Sequence, residues 1–305
     1  MFIIKHKKIF IGISALLVVL SLTAVAVFGL NIGIDFKGGA LTEVTYTTSR
    51  PHQATLSTKL ESLGIGTILL QPTGDKGYIV KSRSLSDAEH TTLLKVLSGQ
   101  ENYTKEDTSV LTETNFNSIG PSVGRELTRK AIIAFILISI AIICFIAFAF
   151  RKVSRPVSSW RYGLIAIVTL IHDVLIPVGI FATLAHFYGV ELDTLFVVAV
   201  LTILGLSVSD TIVIFDRIRE NLKEQDSKSK AEFQDIVGRS VEQSFVRSIC
   251  TSLTVILVLL ALFLFGPVTT KYFALMLMAG MFFGTYSSIF LASPLLVWVG
   301  EWQKQ

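Results

Sequence analysis

An aspartate, Asp210, lies inside one of the most apolar runs of this chain, Leu195–Phe215. The run is long enough to cross a bilayer, which requires about 20 predominantly apolar residues. A carboxylate at the centre of such a span costs about 2.5–3.5 kcal/mol on insertion scales, so it is rarely found there without a role. Two roles stay open: a site that takes up and releases protons or ions, or one half of a structural pair. Helical periodicity gives the run one small or polar face, which we expect to point into a helix bundle: Thr202, Gly205, Ser209 and Asp210.

A second polar group, His172 with Asp173, lies near the middle of another apolar run. Thr169 precedes both by about one helical turn, so the three side chains can share a face. Histidine titrates near neutral pH, which makes a proton relay one interpretation of the pair. A hydrogen-bonded cluster that holds helices together explains the same residues equally well.

Arg247 opens a later apolar run, with Cys250, Thr251 and Thr254 on the same helical face. Its position alone favours an arginine at the membrane edge whose side chain reaches the lipid headgroups. The alternative is a counter-charge for Asp210. The last apolar run carries small residues at intervals of four, a pattern that lets another helix approach closely: Gly280, Gly284, Ser288 and Ala292.

The composition places these runs in a membrane. The chain has 305 residues, of which 51% are hydrophobic and only 16% are charged, whereas a soluble domain carries about 25% charged residues. We predict six membrane spans: Ile9–Leu30, Ala131–Phe150, Gly163–Phe187, Thr194–Phe215, Ile249–Phe265 and Tyr272–Val299.

Basic residues group at alternate ends of the spans, whereas the connection His186–Asp193 has no Lys or Arg. Because basic residues favour the cytoplasmic side, this pattern predicts that both termini are cytoplasmic. The first span has a basic start and an A-x-A match at Ala24–Ala26, but its length favours an uncleaved anchor over a signal peptide. The groups are Lys5, Lys7 and Lys8; Arg151, Lys152, Arg155 and Arg161; and Arg217, Arg219, Lys223, Lys228, Lys230 and Arg239.

The spans divide the chain into an anchor helix at 1–30, an extracytoplasmic domain at 31–124 and a five-helix membrane bundle at 125–305. In the bundle, residues 216–246 are charged, but apolar residues recur among them at helical spacing. This pattern predicts an amphipathic helix on the cytoplasmic face, or a segment that covers the ends of the spans. The apolar residues are Phe233, Ile236, Val237, Val241 and Phe245.

The extracytoplasmic domain has the pattern of a small α+β fold. Alternating stretches at Gly39–Thr47 and Thr108–Asn117 predict the outer strands, and Gly74–Gly77 separates two short strands between them. Pro51–Leu63 reads as a helix, and Ser86 with Glu89 forms a capping box before a second helix. The order β-α-β-β-α-β predicts a ferredoxin-like domain.

Enzyme chemistry has no support in the sequence. There is no phosphate-binding loop of the P-loop type, no paired Cys/His metal-ligand set and no nucleophile elbow. The two cysteines, Cys144 and Cys250, build neither a disulfide framework nor a metal cluster. We therefore expect no catalytic activity, no cofactor, no metal and no nucleic-acid partner, and any work must be driven by an ion gradient.

Four motifs resemble the SecF branch of the SecD/SecF family, whose members belong to the bacterial protein-export machinery and resemble transporters of the resistance-nodulation-division superfamily. They are GIDFKGG at Gly33–Gly39, GPSVGREL at Gly120–Leu127, His172–Asp173, and SDTIVIFDRIREN at Ser209–Asn221. The tail from Arg247 to Gly266 and GTYSSIF at Gly284–Phe290 is similar as well, so the resemblance runs nearly end to end.

The resemblance implies that Asp210 and Arg247 belong to a proton path, with His172, Asp173, Ser209 and Thr211 beside them. This reverses the interpretation that position alone favours for Arg247. Ser209 replaces the asparagine usual in the family, and a hydroxyl offers fewer hydrogen-bond partners than an amide. The remaining signature residues would be Gly33, Asp35, Gly38 and Gly39 at the membrane–domain junction, and Asp216, Arg217 and Arg219 after the fourth span.

The resemblance also implies partners and a location. The chain would lie in the bacterial cytoplasmic membrane, require SecD as an obligate partner, and act on an unfolded secretory polypeptide with the SecYEG channel. SecA, the small YajC subunit and membrane lipids are further candidate partners. The proton-motive force would drive late steps of translocation. Two alternatives stay open: an exporter of small molecules or lipids from the same superfamily, and a scaffold that stabilises a translocase partner.

Overall fold

The computed structural model describes residues 2–66, 68–104, 107–149, 159–224 and 232–302. The chain forms two compact units. One unit combines Met1–Asn31 with Ile133–Gln305, and the other comprises Ile32–Ile132. Because the first unit is discontinuous in sequence, the polar unit is an insertion after the first long helix.

Six helical stretches are long and apolar enough to cross a membrane, which confirms the six predicted spans. A short helix, α1 (Phe2–Lys5), precedes the first. In the sixth stretch a π-helical turn, Ser288–Ala292, lies between two α-helices. The stretches are α2 (Lys7–Phe28), α6 (Pro121–Ala149), α7 (Ser159–Tyr188), α8 (Thr194–Glu224), α9 (Phe233–Phe265), and α10 (Val268–Ser287) continuing through the π turn into α11 (Ser293–Trp302).

The amphipathic segment predicted at 216–246 is not a separate surface helix. Its first residues extend α8 to Glu224, and its last residues form the first turns of α9 from Phe233. Ile236, Val237 and Val241 are buried, so their apolar periodicity reflects packing inside the bundle. In α8, ion pairs at (i, i+3) spacing support the charged turns beyond the apolar run. Five of the basic residues used for the topology prediction lie outside the described residues: Arg151, Lys152, Arg155, Lys228 and Lys230.

The polar unit contains a four-stranded antiparallel sheet and two helices. The sheet order is β2-β3-β1-β4, with a β-bulge between Glu43 and Val44. This is the split β-α-β arrangement of ferredoxin-like folds, as the sequence predicted. A one-turn helix, α3 (Ile34–Lys37), precedes the sheet. The other elements are β1 (Gly39–Tyr46), α4 (Gln53–Glu61), β2 (Leu69–Thr73), β3 (Gly77–Ser82), α5 (Asp87–Ser98) and β4 (Leu111–Ile119).

The core of this unit lies between the helices and one face of the sheet. Val44 of β1, Leu60 of α4 and Leu93 of α5 are fully buried in one apolar cluster. The predicted capping box begins α5, since the Ser86 hydroxyl accepts from the Glu89 N–H and the Glu89 carboxylate accepts from the Ser86 N–H. Gly99 ends the helix in the left-handed conformation.

In the membrane unit, α7, α8, α9 and the α10–α11 stretch pack into a bundle around a shared apolar cluster that includes Tyr162, Phe215 and Ile289. Helix α2 packs on α7 where Gly179 approaches Ser21, because a Cβ on Gly179 would lie 2.5 Å from the Ser21 Cβ. The inner helices carry the polar residues that the sequence singled out.

Candidate functional site

Helices α8 and α10 meet along a stripe of small residues. A Cβ on Gly280 would lie 2.2 Å from the Ile203 Cγ1, and a Cβ on Gly284 would lie 3.2 Å from the Ser207 Cβ. One turn further on, the Ser288 and Thr211 hydroxyls are hydrogen-bonded at 2.8 Å. Two glycines of α10 and Ser288 of the π turn therefore face three residues of α8 at matching intervals of four, which allows near-backbone contact between the helices.

The inward face of α8 differs from the predicted one. Ile203, Ser207 and Thr211 are buried, whereas Gly205 and Ser209 are exposed. The predicted face, Thr202–Gly205–Ser209–Asp210, is therefore wrong in its orientation, and Asp210 lies at its edge, partly buried. The helix turns Ser207 inward because this small side chain fits against Gly284 and reaches a polar partner on α7.

That partner is Asp173, which is fully buried and accepts three side-chain hydrogen bonds. The His172 Nδ1 lies 2.8 Å from Asp173 Oδ1, and the Ser287 hydroxyl donates to Oδ2 at 2.7 Å. The Ser207 hydroxyl also donates to Oδ2. The carboxylate thus ties α7, α8 and α10 together, and its acceptor capacity is well used. The predicted neighbour Thr169 is buried too, but it bonds to its own helix backbone at Ile165 and Ala166.

Asp210 has a different environment at the meeting point of α8, α9 and α10. The Ser248 and Thr285 hydroxyls lie beside its carboxyl group, and Arg247 lies within electrostatic range. Its Oδ2 is buried but forms no hydrogen bond with any residue that the structure describes. Thr285 is hydrogen-bonded to Ser252 of α9. The carboxyl group therefore keeps acceptor capacity that a proton or a water molecule can use.

Arg247 is exposed and forms no ion pair within the part of the chain that the structure describes. The exposed position agrees with an arginine at the membrane edge, and a charge within electrostatic range of Asp210 is compatible with a counter-charge. The role of Arg247 as a counter-charge stays a prediction.

Hydroxyl groups lie beside each of the two carboxylates. Ser207 and Ser287 bond to Asp173, Thr211 bonds to Ser288 in the next turn, and Thr285 lies beside Asp210. Sequence reasoning missed Ser207, Ser248, Thr285 and Ser287. For Thr285 and Ser287 the available signal was their spacing of three residues from Ser288 and Gly284, which places them on the same side of the helix as the small stripe. Ser207 and Ser248 lie on α8 and α9, where no such spacing marks them.

The glycine-rich signature residues form a close-packed contact in the polar unit. Gly33 precedes α3, and Asp35 lies in its first turn. Gly38 has a φ of +80°, and a Cβ there would lie 2.8 Å from the Pro121 Cα. A Cβ on Gly124 would lie 2.8 Å from the Phe36 backbone oxygen, and one on Gly39 would meet the Ser82 oxygen at the same distance. The two glycine motifs thus pack on each other, a contact that the sequence did not predict.

The signature residues after the fourth span form a polar clamp between α8 and α9. The Arg217 Nε donates to Gln243 Oε1 at 2.8 Å, and its Nη1 pairs with Glu220. Asn221 donates to Ser240 at 2.7 Å and to Gln243 at 2.8 Å. Arg219 pairs with Asp216 at 2.7 Å. These side chains thus join the ends of the two helices beyond the apolar core.

Outside the membrane spans, the best-defined charged group is Glu89 of α5. The Arg83 guanidinium hydrogen-bonds to this carboxylate, and the Ser86 backbone N–H and hydroxyl add further bonds. Together they lower the pKa of Glu89 to about 2. This carboxylate caps a helix and stays ionised at neutral pH, so it contributes to local stability.

Comparisons with known proteins agree along the whole chain. A family model of the C-terminal part of SecD/SecF protein export membrane proteins matches residues 100–302, and a model of the SecD/SecF GG motif matches residues 23–49. The protein translocase subunit SecF of Thermobaculum terrenum is 41% identical over 99% of this chain and 94% of its own length. The SecF subunit of Anaerolinea thermophila is 36% identical over 99% of this chain and 96% of its own length.

The same similarity extends to longer proteins. The crystal structure of SecDF from Thermus thermophilus, described as a translocon-associated membrane protein, is 30% identical and superposes with a TM-score of 0.81. It is matched over 99% of this chain but only 38% of its own length. The Bacillus subtilis translocase subunit SecDF is 33% identical, again over 38% of its length. This chain therefore spans little more than a third of the SecDF proteins.

Proposed function

Because the chain belongs to the SecD/SecF family of protein export membrane proteins, we propose that it works with a SecD partner in late steps of protein translocation. The proton-motive force drives these steps across the bacterial cytoplasmic membrane. The exporter alternative loses support, since the relatives matched over nearly their full length are translocase subunits.

One observation carries the proton-driven part of this proposal: Asp210 is a carboxyl group in an apolar span with a buried, unbonded oxygen among the described residues. A group used only for packing has its acceptors satisfied, as Asp173 does. Asp210 instead lies at the contact of three helices, beside the Ser248 and Thr285 hydroxyls. A proton that binds there changes the charge at the point where the helices meet.

The proposed cycle begins when a proton from outside the cell neutralises Asp210. This weakens the attraction between Asp210 and Arg247 and changes the packing of α9 against α8 and α10. The extracytoplasmic domain then holds or releases an emerging polypeptide, and release of the proton to the cytoplasm resets the cycle. One charge that crosses 100 mV supplies about 2.3 kcal/mol. That energy changes the ratio of two packing states by about 50-fold.

His172, Asp173, Ser209 and Thr211 line the proposed proton pathway around Asp210, which is the group that takes up and releases the proton. We assign the buried His172–Asp173 pair to the part of the pathway that does not move, because three hydrogen bonds hold Asp173 in place. Thr211 continues the hydroxyl layer toward α10. Ser209 lies on the exposed side of α8, next to Asp210, where a partner subunit or lipid has access.

The partners follow from the relatives. SecDF proteins join a SecD part and a SecF part in one chain, and this chain corresponds to about 38% of two of them. A separate SecD chain is therefore the expected partner. The SecYEG channel, SecA, the YajC subunit and the unfolded secretory polypeptide are further proposed partners, with both termini in the cytoplasm and residues 31–124 outside.

The test is gradient-dependent translocation of a secretory protein into membrane vesicles that contain SecD and either the wild-type chain or Asp210→Asn. Glu224→Gln, which removes a carboxylate from the exposed end of the same helix, is the matched control. We expect Asp210→Asn to remove the gradient-dependent component at equal abundance and assembly, while the control retains it. Unchanged translocation by Asp210→Asn would make the scaffold function the better one.

A further inference from the structure

Helices α2 and α7 pack side by side in a register that two contacts define. They are the first and third spans, so they run in the same direction. A Cβ on Gly179 would lie 2.5 Å from the Ser21 Cβ. Seven residues further along both helices, the rings of Phe28 and His186 stack with their centroids 4.6 Å apart. Seven residues are close to two helical turns, so equal steps of seven along two parallel helices reach facing positions.

The same step in the opposite direction places Ser14 of α2 opposite His172 of α7. Both residues are buried, whereas Ile13 and Leu16, on either side of Ser14, are exposed. Ser14 therefore lies on the side of α2 that faces the bundle, at the depth of His172.

Tyr286 of α10 reaches the same place from a third helix. Its ring stacks with the ring of His172, with centroids 6.3 Å apart and planes 21° from parallel. It also stacks on Phe290, whose ring lies 4.8 Å from that of Phe10 on α2. The sixth span runs opposite to the first, so one turn back from Phe290 and one turn forward from Phe10 bring Tyr286 level with Ser14.

Each of these three residues has a polar atom that is buried and without a hydrogen-bond partner among the described residues: Ser14 Oγ, His172 Nε2 and Tyr286 Oη. Buried polar atoms of side chains nearly always have a partner, and an unsatisfied one costs about 1–3 kcal/mol. The three atoms do not bond to one another, so a small polar molecule between them is needed to satisfy them. A buried water molecule typically makes about three hydrogen bonds, and it can both donate and accept.

We propose that Ser14, His172 and Tyr286 form a binding site for a single water molecule. The water donates to the His172 Nε2, accepts from the Tyr286 hydroxyl, and bonds to the Ser14 hydroxyl with its remaining capacity. With Nε2 as the acceptor, the proton of the neutral ring is on Nδ1, which donates to Asp173 Oδ1 at 2.8 Å. The opposite tautomer places a lone pair of Nδ1 against the carboxylate. The site therefore selects the tautomer in which His172 holds Asp173.

The water site extends the Asp173 cluster to the anchor helix. Asp173 bonds to side chains of α7, α8 and α10, and the water adds α2 to them. Ser14 and Tyr286 are positioning residues, because they act on Asp173 only through His172. The site does not depend on whether Asp210 carries protons, so it can fail while the proposed function holds, and the reverse.

The first test is solid-state NMR of the complete complex with SecD in lipid vesicles, with nitrogen-15 in the histidine rings. The chain has five histidines, and the signals of His172 are those that His172→Gln removes. We expect a neutral ring with its proton on Nδ1, a hydrogen-bonded Nε2, and magnetisation transfer from water protons to this ring. A proton on Nε2, or no transfer from water, would overturn the proposal.

Removal of the two hydroxyls tests the other walls of the site. Ser14→Ala and Tyr286→Phe each delete one hydroxyl and keep the rest of the side chain. We expect the transfer from water to His172 to fall at least fivefold in the double variant, and the Nε2 signal to move to that of an unbonded nitrogen. Ser21→Ala, which deletes a buried hydroxyl two turns away on the same side of α2, is the matched control and leaves the signals unchanged. Wild-type signals in the double variant would contradict the site.

Thermal stability of the same complexes gives a second test that needs no NMR assignment. Two hydroxyls that share one water are coupled, so the Tm loss of Ser14→Ala with Tyr286→Phe is expected to be at least a third smaller than the sum of the single losses. For Ser21→Ala with Tyr286→Phe we expect the losses to add. Additive losses in the first pair as well would show that the two hydroxyls share no ligand, and the site would be wrong.

Discussion

Asp173 and Asp210 are both aspartates in apolar spans, but the bundle treats them differently. Asp173 is fully buried and bonded to His172, Ser207 and Ser287 on three elements. Asp210 is partly exposed, and its buried oxygen has no hydrogen bond with the described residues. We expect a carboxylate whose acceptors are filled to hold helices together, and one with a free acceptor to be able to take up a proton. We therefore propose that the hydrogen-bond partners of a buried carboxylate indicate its role better than the free-energy cost of burying it.

The largest expected effect comes from removing the titration of Asp210. Asp210→Asn keeps the size and polarity of the side chain but cannot bind and release a proton. We expect gradient-dependent translocation to fall at least tenfold with unchanged complex assembly, as measured by vesicle translocation and co-purification with SecD. Asp210→Glu, which still titrates, is expected to retain part of the activity. Comparable losses in both variants would show that geometry, not titration, is what matters at this site.

The second-largest expected effect tests whether Asp173, the other carboxylate of the comparison, has a structural role. Asp173→Asn removes the acceptor of a buried pair and places an amide NH₂ among donors from His172, Ser207 and Ser287. Breaking a buried pair in this way destabilises by about 3–5 kcal/mol. We expect lower abundance and a lower Tm in detergent, with activity per folded molecule largely kept. A normal Tm with lost gradient-dependent translocation would instead make Asp173 a proton carrier.

The third effect tests the helix contact on which both sites depend. Gly280→Ala places a Cβ 2.2 Å from the Ile203 Cγ1 in the α8–α10 contact. Overpacking of this kind costs about 1–3 kcal/mol, so we expect a lower Tm. Gly205→Ala is the control, because a Cβ at Gly205 has no neighbour within 4 Å among the described residues. A Tm loss of equal size for Gly205→Ala would contradict the assigned orientation of α8.

The smallest expected effect concerns a third carboxylate, Glu89. It also accepts several hydrogen bonds, but it is partly exposed to solvent. Its pKa of about 2 lies below the ordinary value, mainly because of Arg83. The stabilising contribution of Glu89 is therefore complete above the ordinary pKa of a glutamate and is lost as the pH falls toward 2. We expect Glu89→Gln to lower the Tm slightly at pH 7, and the difference from wild type to shrink by pH 3. A difference that does not change with pH would exclude this ionisation.

Much of the fold could be predicted from the sequence because its signals are local. Six apolar runs of sufficient length, the alternation of β1 and the Ser86–Glu89 capping box each depend on a few neighbouring residues. Of the two predictions for 216–246, only the separate surface helix disagrees with the described residues, and local signals could not exclude it. The charge pattern of this segment is that of a surface helix, but Val237 and Val241 are buried against other helices, and such contacts are not visible in the local pattern.

The site could be predicted only in part. Asp210 and His172–Asp173 stand out because polar residues are rare in spans. The sequence alone could not predict which face of α8 points inward. Ser207 and Ser209 are the same residue type, and they differ only in their angular position around the helix. The choice depends on Gly284 of α10 and Asp173 of α7, which lie 77 and 34 residues away in the chain. The hydroxyls of Ser287 and Thr285 were missed for the same reason.

The contact of Gly280 and Gly284 with Ile203 and Ser207 has a mechanical consequence. Two helices in near-backbone contact cannot slide or rotate against each other without steric overlap, so α8 and α10 must move as one rigid body. Helix α9 meets α8 at Asp210 through Ser248, and beyond Asp210 a cavity and long polar side chains separate the two helices. A displacement caused by a change of charge at Asp210 would therefore appear as motion of α9 against a stationary α8–α10 pair.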